Sequence, residues 1–317
     1  MACFFCIVAK NQHWTVGQAI GFNSHCTTTA VRLEKDDHSM KFLRVVLLSM
    51  AALWWHGAPA QAGTPVLLVV FDGGNGLIWC LNHRGKCQGL NPASVNYDGL
   101  QKRGGAPQIA NTLRQAGYRV DERYFSSYWA LHDTPASDTP SPGVLEALSA
   151  IDAASPDTRI VVIGASEGGL WTHMIAHAIP RLDVLVDFDV LCAGWRQFQD
   201  ELPRLDPTQR LALEQRLGAL LHTNPCRGVN VIPETVTTNL EVRTSLFYRG
   251  AAIQDQWTEA LLTDVVPNRR PDGSWDGIWR FVERDEGHGH LLAPDDPSVI
   301  WTSAMLLYLL QQPQGTH

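Results

Sequence analysis

The chain has 317 residues, of which 45% are hydrophobic and 18% are charged, so it is long enough to bury one substantial core. Its formal net charge of -7 argues against a nucleic-acid partner, because no basic surplus is available to neutralise phosphates. These values are typical of an enzyme-sized globular chain, and they predict one large domain with an insertion.

A secretory signal peptide is predicted over residues 40–62. Met40 opens a short basic start, an apolar run too short to span a bilayer follows, and small residues lead up to Ala62. Signal peptides begin at the initiator methionine, so residues 1–39 are expected to be a non-native or disordered extension. The alternative is a real extension with an internal membrane anchor. The mature protein, from Gly63, is expected to be soluble and either periplasmic or secreted.

The cysteines that follow this leader are even in number. In an oxidising compartment such a set predicts two disulfides, and proximity in sequence suggests Cys80 with Cys87 and Cys192 with Cys226. A structural zinc site is disfavoured, because these four cysteines contain no C-x-x-C pair.

Strands alternate with helices along the mature chain. This alternation predicts right-handed crossovers and an α/β fold, with a mainly parallel central sheet flanked by helices. Strands are predicted at 66–71, 118–125, 160–163, 182–188, 242–248 and 278–284, and helices at 107–116, 144–154, 167–178 and 299–310.

The alternation breaks between about residues 195 and 240. Asp206 and Pro207 form a typical helix start, and an apolar stripe follows on the helix that they open. The stripe consists of Leu213, Leu217, Leu220 and Leu221.

Residues 160–169, with the sequence IVVIGASEGG, carry the most specific motif. An apolar β-branched run stops at Gly164, Ser166 stands at the apex of the turn, and Gly168 opens a helix. A serine on such a turn takes a strained backbone conformation that only small neighbours permit. The motif resembles the nucleophile elbow of the α/β-hydrolases, in particular the serine esterases and lipases. The resemblance implies that Ser166 is a catalytic nucleophile.

The same resemblance assigns a role to the glycine-rich loop after the first strand of the mature chain. In the family, a backbone N–H of this loop and one at the start of the helix after the serine form the oxyanion hole. The corresponding residues here are Gly74 or Gly73 and Glu167. A dinucleotide-binding loop is the rival interpretation, but the third glycine of that fingerprint is missing.

The resemblance also implies a base and an acid for Ser166. A histidine follows the last predicted strand in a glycine-rich loop, where His290 fits the family pattern best and His288 is the close alternative. Asp255 follows the preceding predicted strand at a plausible position, although its loop is longer than the usual form. Asp189 and Asp264 are the alternative acids.

Two histidine pairs invite a metal interpretation. His173 and His177 are four residues apart on one predicted helix, but Met174 stands where a zinc-protease motif needs glutamate, so core or interhelical histidines are expected. The pair His288 and His290 has no third ligand nearby in sequence, so no metal is predicted there.

The sequence as a whole predicts an exported serine hydrolase that cleaves an ester or related acyl bond and needs no cofactor. Its substrate is expected to be a small-molecule or lipid ester. The insertion at 195–240 corresponds to the cap of many α/β-hydrolases, with an ordinary crossover helix as the alternative. A serine peptidase of the same fold and a non-catalytic binding protein are the competing functions, and the pair Gly168-Gly169 after the serine also occurs in such peptidases.

Overall fold

A computed structural model divides the chain into two units, Met1–Pro59 and Ala60–His317. The first contains an antiparallel sheet of strands β1 (Phe4–Lys10), β2 (His13–Ala19) and β3 (Thr27–Ala30). Paired strands therefore occur within residues 1–39, and the expectation of a non-native or disordered extension stays a prediction. The structure describes residues 4–10, 13–19, 27–30, 63–73, 104–126, 130, 142–166, 168–190, 199, 202–222, 231–244, 268–283 and 293–312.

The second unit is built on a six-stranded parallel sheet, which confirms the α/β architecture predicted from the sequence. The strands lie in the order β5-β4-β6-β7-β8-β9, and each neighbouring pair is parallel. Their bounds are β4 Pro65–Asp72, β5 Arg119–Ser126, β6 Arg159–Ala165, β7 Leu182–Phe188, β8 Val236–Thr244 and β9 Ile278–Glu283.

Helices cover both faces of this sheet. One face packs on α1 and α5, and the opposite face packs on α2, α3 and α4. Within the described residues no helix is long and apolar enough to cross a membrane. The helices are α1 Gly105–Gln115, α2 Gly143–Ala153, α3 Gly168–Ala178, α4 Pro207–Leu217 and α5 Pro297–Gln311, with 3-10 turns at Leu202–Arg204 and Gly218–His222.

The central strands follow from near-continuous apolar runs. Strands β4, β6 and β7 are buried along almost their whole length, as expected when helices cover both faces of a parallel sheet. The helix starts follow from capping: Asp206 accepts from the Thr208 N–H at 2.8 Å, and Asp296 accepts from the Ser298 N–H at the same distance.

Strand β8 begins earlier than the sequence predicts. It runs over Val236–Thr244, whereas the alternation of residue types pointed to a strand over 242–248. The difference arises because polar residues such as Asn239 and Glu241 are buried in this strand with side-chain partners, which conceals the apolar signal of a core strand.

The described part of the 195–240 insertion belongs to the helical layer. Leu213, Leu217 and Leu221 of the predicted stripe are buried in the core against α2 and α3. Arg216 of α4 donates to both carboxylate oxygens of Asp152 in α2 at 2.7 Å. Helix α4 is therefore a crossover helix between β7 and β8, and residues 202–222 do not show the predicted cap.

Candidate active site

Ser166 occupies the turn between β6 and α3. Its φ of 53° lies in the left-handed region, which non-glycine residues rarely adopt. Its N–H donates to the Phe188 carbonyl at 2.9 Å, and its own carbonyl accepts from the Gly169 N–H at 3.1 Å. The strand, turn and helix predicted around this serine are present, with Ser166 at the strained position.

The glycines of the motif are there because the turn has no room for side chains. A Cβ on Gly164 would lie 2.5 Å from Thr172 Oγ1, and one on Gly168 would lie 2.0 Å from the Phe71 carbonyl oxygen. Both distances are far below van der Waals contact. The small neighbours that the sequence pattern required are thus imposed by the packing of α3 against the ends of β4 and β6.

Gly73 brings the predicted oxyanion loop against the serine. A Cβ on Gly73 would lie 2.6 Å from Ser166 Cβ and 3.1 Å from Ser166 Oγ. The backbone of the loop after β4 therefore approaches the hydroxyl as closely as a chain can without a side chain in between. Helix α3 begins two residues after Ser166, so the positive end of its dipole also lies at this turn.

Asp189 lies directly beside the serine turn at the end of β7. It is buried, and its φ of 42° makes it, with Ser166, one of two described non-glycine residues with a positive φ. Its N–H donates to the Val242 carbonyl at 2.8 Å, while the preceding carbonyl, that of Phe188, accepts from the Ser166 N–H. The structure thus brings this alternative acid to the same carboxyl end of the parallel strands as Ser166.

A cluster of buried polar side chains on the α3 side of the sheet was not anticipated from the sequence. Asp187, in β7, receives hydrogen bonds from His173 Nε2 of α3 at 3.2 Å, Asn239 Nδ2 of β8 at 2.8 Å and Asn268 Nδ2 at 2.7 Å. Asn268 Nδ2 also donates to Asn239 Oδ1 at 2.8 Å. We call Asp187, His173, Asn239 and Asn268 the Asp187 cluster. The one sequence signal was an aspartate near the end of a mainly apolar strand.

The pKa of Asp187 lies below its usual value. Burial by itself raises this pKa, but the charge of His173 and the hydrogen bonds from His173, Asn239 and Asn268 more than offset that effect. The carboxylate is therefore ionised at neutral pH, and the stability that its depressed pKa contributes is lost only in strong acid, as the pH falls below about 4.

The solved structures similar to this chain are remote in sequence. They include an esterase domain from Rhodothermus marinus, 12% identical over 79% of this chain and 88% of that one, with a TM-score of 0.40. Others are the mouse alpha/beta hydrolase domain-containing protein 10, 12% identical over 79% and 91% with a TM-score of 0.42, and a serine hydrolase without lid from Xanthomonas campestris, 12% identical over 80% and 84% with a TM-score of 0.37.

Many of these similar structures are α/β-hydrolase esterases or serine hydrolases. No protein-family model and no curated protein sequence matches the chain. At these TM-scores the likeness carries no inference about activity, which must come from the chain's own residues.

Several predicted site residues lie outside the described part of the chain. The structure brings together Ser166, Gly73 and Asp189. The other predicted site residues lie outside the described ranges. Those outside are the catalytic candidates His288, His290, Asp255 and Asp264, the oxyanion residues Glu167 and Gly74, and the cysteines Cys80, Cys87, Cys192 and Cys226.

The two histidines of α3 were predicted to be core or interhelical residues. His173 lies in the core, and His177 lies partly buried at its margin. His173 is fully buried against Asp187, and His177 Nε2 donates to the Val231 carbonyl at 3.2 Å. In the described residues no group of three histidine, cysteine or acidic side chains is placed to hold a metal ion.

His177 makes the stability of the fold depend on pH. Burial, reinforced by the charge of His173, lowers the pKa of His177 below its usual 6.5. The unfolded chain therefore binds a proton more readily, so the contribution of His177 is fully present above pH 6.5 and is lost as the pH falls through its folded-state pKa. We expect the urea midpoint of the wild type to fall more between pH 7 and pH 5 than that of His177→Gln. Equal falls in the two proteins would contradict this.

Proposed function

We propose that the chain is an exported serine hydrolase that cleaves an ester or related acyl bond. Ser166 is the nucleophile, His290 is the general base and Asp255 is the acid that orients it. The backbone N–H groups of Glu167 and of Gly74 or Gly73 form the oxyanion hole. His288 and Asp189 are the alternative base and acid.

The observation that carries this proposal is the geometry at Ser166. A non-glycine residue held at a φ of 53° costs about 1–2 kcal/mol, a strain that proteins retain mainly at functional turns. The strained residue is a serine at the carboxyl end of a central parallel strand, which is where open α/β sheets place their ligands. The backbone of the loop at Gly73 lies against the serine side chain, which puts it close to where a carbonyl under attack would have to lie.

The chemistry assigns one task to each group. A serine hydroxyl is a poor nucleophile near neutral pH, so the imidazole takes its proton as Oγ attacks the carbonyl carbon, and later returns that proton to the leaving group. The carboxylate orients the imidazole and stabilises the imidazolium. The charge that develops on the carbonyl oxygen meets fixed N–H donors, each worth about 3 kcal/mol of barrier. Water then releases the acyl group from Ser166 by the reverse sequence.

Gly73 offers a test of the oxyanion loop in which no reacting group is chemically altered. In Gly73→Ala the new methyl group would meet Ser166 Cβ at 2.6 Å, so either the loop or the serine must move. Because a displacement of about 1 Å can cost on the order of 100-fold in rate, we expect kcat/KM for an ester to fall by about that factor. Steady-state kinetics measure it.

The matched control is Gly273→Ala, just before β9 at the amino ends of the parallel strands, whereas Ser166 lies at their carboxyl ends. Among the described residues no atom beyond its chain neighbours lies within 4 Å of the added methyl group, and the positive φ of 82° at Gly273 should cost stability without touching the serine. A Gly73→Ala protein with the wild-type kcat/KM, or a Gly273→Ala protein that loses as much activity while folded, would contradict the role of the loop.

Ester and peptide substrates separate the proposal from its nearest rival. We expect turnover of p-nitrophenyl esters, with a rate that depends on acyl length, and no comparable turnover of an aminoacyl anilide. The reverse order would favour a serine peptidase. Binding of esters without turnover would favour a non-catalytic protein of the same fold.

Export rests on the predicted signal peptide. N-terminal sequencing of protein recovered from the periplasm or medium is expected to read from Gly63, after cleavage at Ala62. Protein retained in the cytoplasm with an uncleaved leader would contradict this part of the proposal.

A further inference from the structure

The Asp187 cluster joins the two segments that hold the Ser166 turn. His173 belongs to α3, the helix that begins directly after the turn, and Asp187 is the neighbour of Phe188, whose carbonyl accepts the Ser166 N–H at 2.9 Å. In the sheet, Asp187 pairs in register with Gly164, two residues before the serine. The cluster therefore ties the helix after the serine to the strand end beside it.

Stability alone does not account for these polar side chains. Asp187, His173, Asn239 and Asn268 are all at most 2% exposed, and desolvating them costs free energy that apolar side chains of similar size would not. Among the described residues, His173 Nδ1 and Asn268 Oδ1 have no hydrogen-bond partner, which adds to that cost. Directional hydrogen bonds fix one position of α3 against β7, which apolar packing alone does not do.

The backbone beside the cluster needs such fixing. Ser166 and Asp189 are the two described non-glycine residues with positive φ, and each directly follows one of the adjacent strands β6 and β7. A strained conformation persists only where the surrounding structure over-determines it. Asp187 lies two residues before Asp189 and is bonded to α3, so it constrains both strained positions.

We propose that Asp187 is a positioning residue for the nucleophile. Through His173, Asn239 and Asn268 it holds the start of α3 and the end of β7 in the arrangement that keeps Ser166 in its strained, reactive conformation. This role rests on the proposed function of Ser166, and it adds residues that do not themselves touch the substrate.

The primary variant is Asp187→Asn, which keeps the size of the side chain and removes its charge. One carboxylate oxygen becomes an NH2 group, which opposes a donor where it faces Asn239 or Asn268 and which requires an unprotonated Nε2 where it faces His173. We expect the rate constant for labelling Ser166 with a fluorophosphonate probe to fall by about tenfold or more, because a small displacement of the hydroxyl lowers the reaction rate strongly. We also expect kcat for an ester to fall by a similar factor with KM little changed.

The matched control is Asp183→Asn, on the same strand. Asp183 is also buried, and its carboxylate accepts from Arg159 Nη1 and from the Ile160 N–H, both at 2.9 Å. Asp183 lies four residues before Asp187, toward the amino end of the strand, which puts the two residues about 13 Å apart. Asp183→Asn is expected to lower the urea midpoint while leaving the labelling rate constant of the folded protein within about twofold of the wild-type value.

A second variant keeps the proposal testable if Asp187→Asn does not fold. Asn268→Ala removes the hydrogen bonds donated to Asp187 and Asn239 without changing a charge, and we expect slower labelling of the folded protein here too. The positioning role is overturned if the folded cluster variants label at the wild-type rate, or if Asp183→Asn slows labelling equally. A wild-type protein that the probe leaves unlabelled at Ser166 instead overturns the proposed function itself, and the positioning role with it.

Discussion

Ser166→Ala is expected to lower kcat for ester hydrolysis by at least about 10⁴-fold, with the fold intact. Removing the nucleophile abolishes the covalent route, and what remains is the smaller acceleration from binding and the oxyanion hole. Alanine fits the turn at least as well as serine, because it is smaller and the packing around Ser166 is tight. Burst and steady-state kinetics on a p-nitrophenyl ester measure the loss.

Ser303→Ala is the matched control for this substitution. Ser303 is also buried, but it lies in α5 on the other face of the sheet, where its hydroxyl donates to the Val299 carbonyl at 2.8 Å. The Ser303→Ala protein should lose at most about 1 kcal/mol of its free energy of unfolding and should keep its full activity. Full activity in Ser166→Ala would show that this serine is not the nucleophile.

Gly168→Ala is expected to destabilise the fold by about 3 kcal/mol or more. Its Cβ would lie 2.0 Å from the Phe71 carbonyl oxygen and 2.6 Å from the Phe71 carbonyl carbon. These are backbone atoms near the end of β4, which is hydrogen-bonded to β5 and β6, so they cannot move aside as a flexible side chain would. Overpacking against such a strand is at the severe end of single substitutions. Urea unfolding, or loss of soluble protein, measures the effect.

Gly104→Ala separates this clash from the ordinary cost of replacing a glycine. The nearest atoms to the added methyl group belong to Pro294 and lie at 3.5 Å, an ordinary van der Waals distance, and the φ of 91° and ψ of -1° at Gly104 lie in the left-handed region. We expect about 1 kcal/mol there. A Gly168→Ala protein no less stable than Gly104→Ala would mean that α3 does not pack on the end of β4 as described.

Parts of the architecture were predictable because their signals are local. Strand β7 was placed at its observed bounds, since an apolar run buried on both faces looks the same wherever its partners come from. The turn at Ser166 was predictable for the same reason: the strand, the small residues and the helix are contiguous. The approach of Gly73 was implied by the family resemblance, and no pattern in its own loop required it.

The Asp187 cluster shows what sequence could not supply. The partners of Asp187 are His173, Asn239 and Asn268, which are 14, 52 and 81 residues away along the chain. Each is an ordinary polar residue in its local context, and only the sheet order brings them together. The early start of β8 was missed because its buried polar residues are satisfied by partners that come only with the tertiary structure.

Covalent labelling at Ser166 tests the central claim most directly. After reaction with a fluorophosphonate, peptide mass spectrometry should find one phosphonyl group on the peptide that contains Ser166, and Ser166→Ala should stay unmodified. Native, folded protein that takes up no label, or carries it on another residue while Ser166 stays free, would contradict the account.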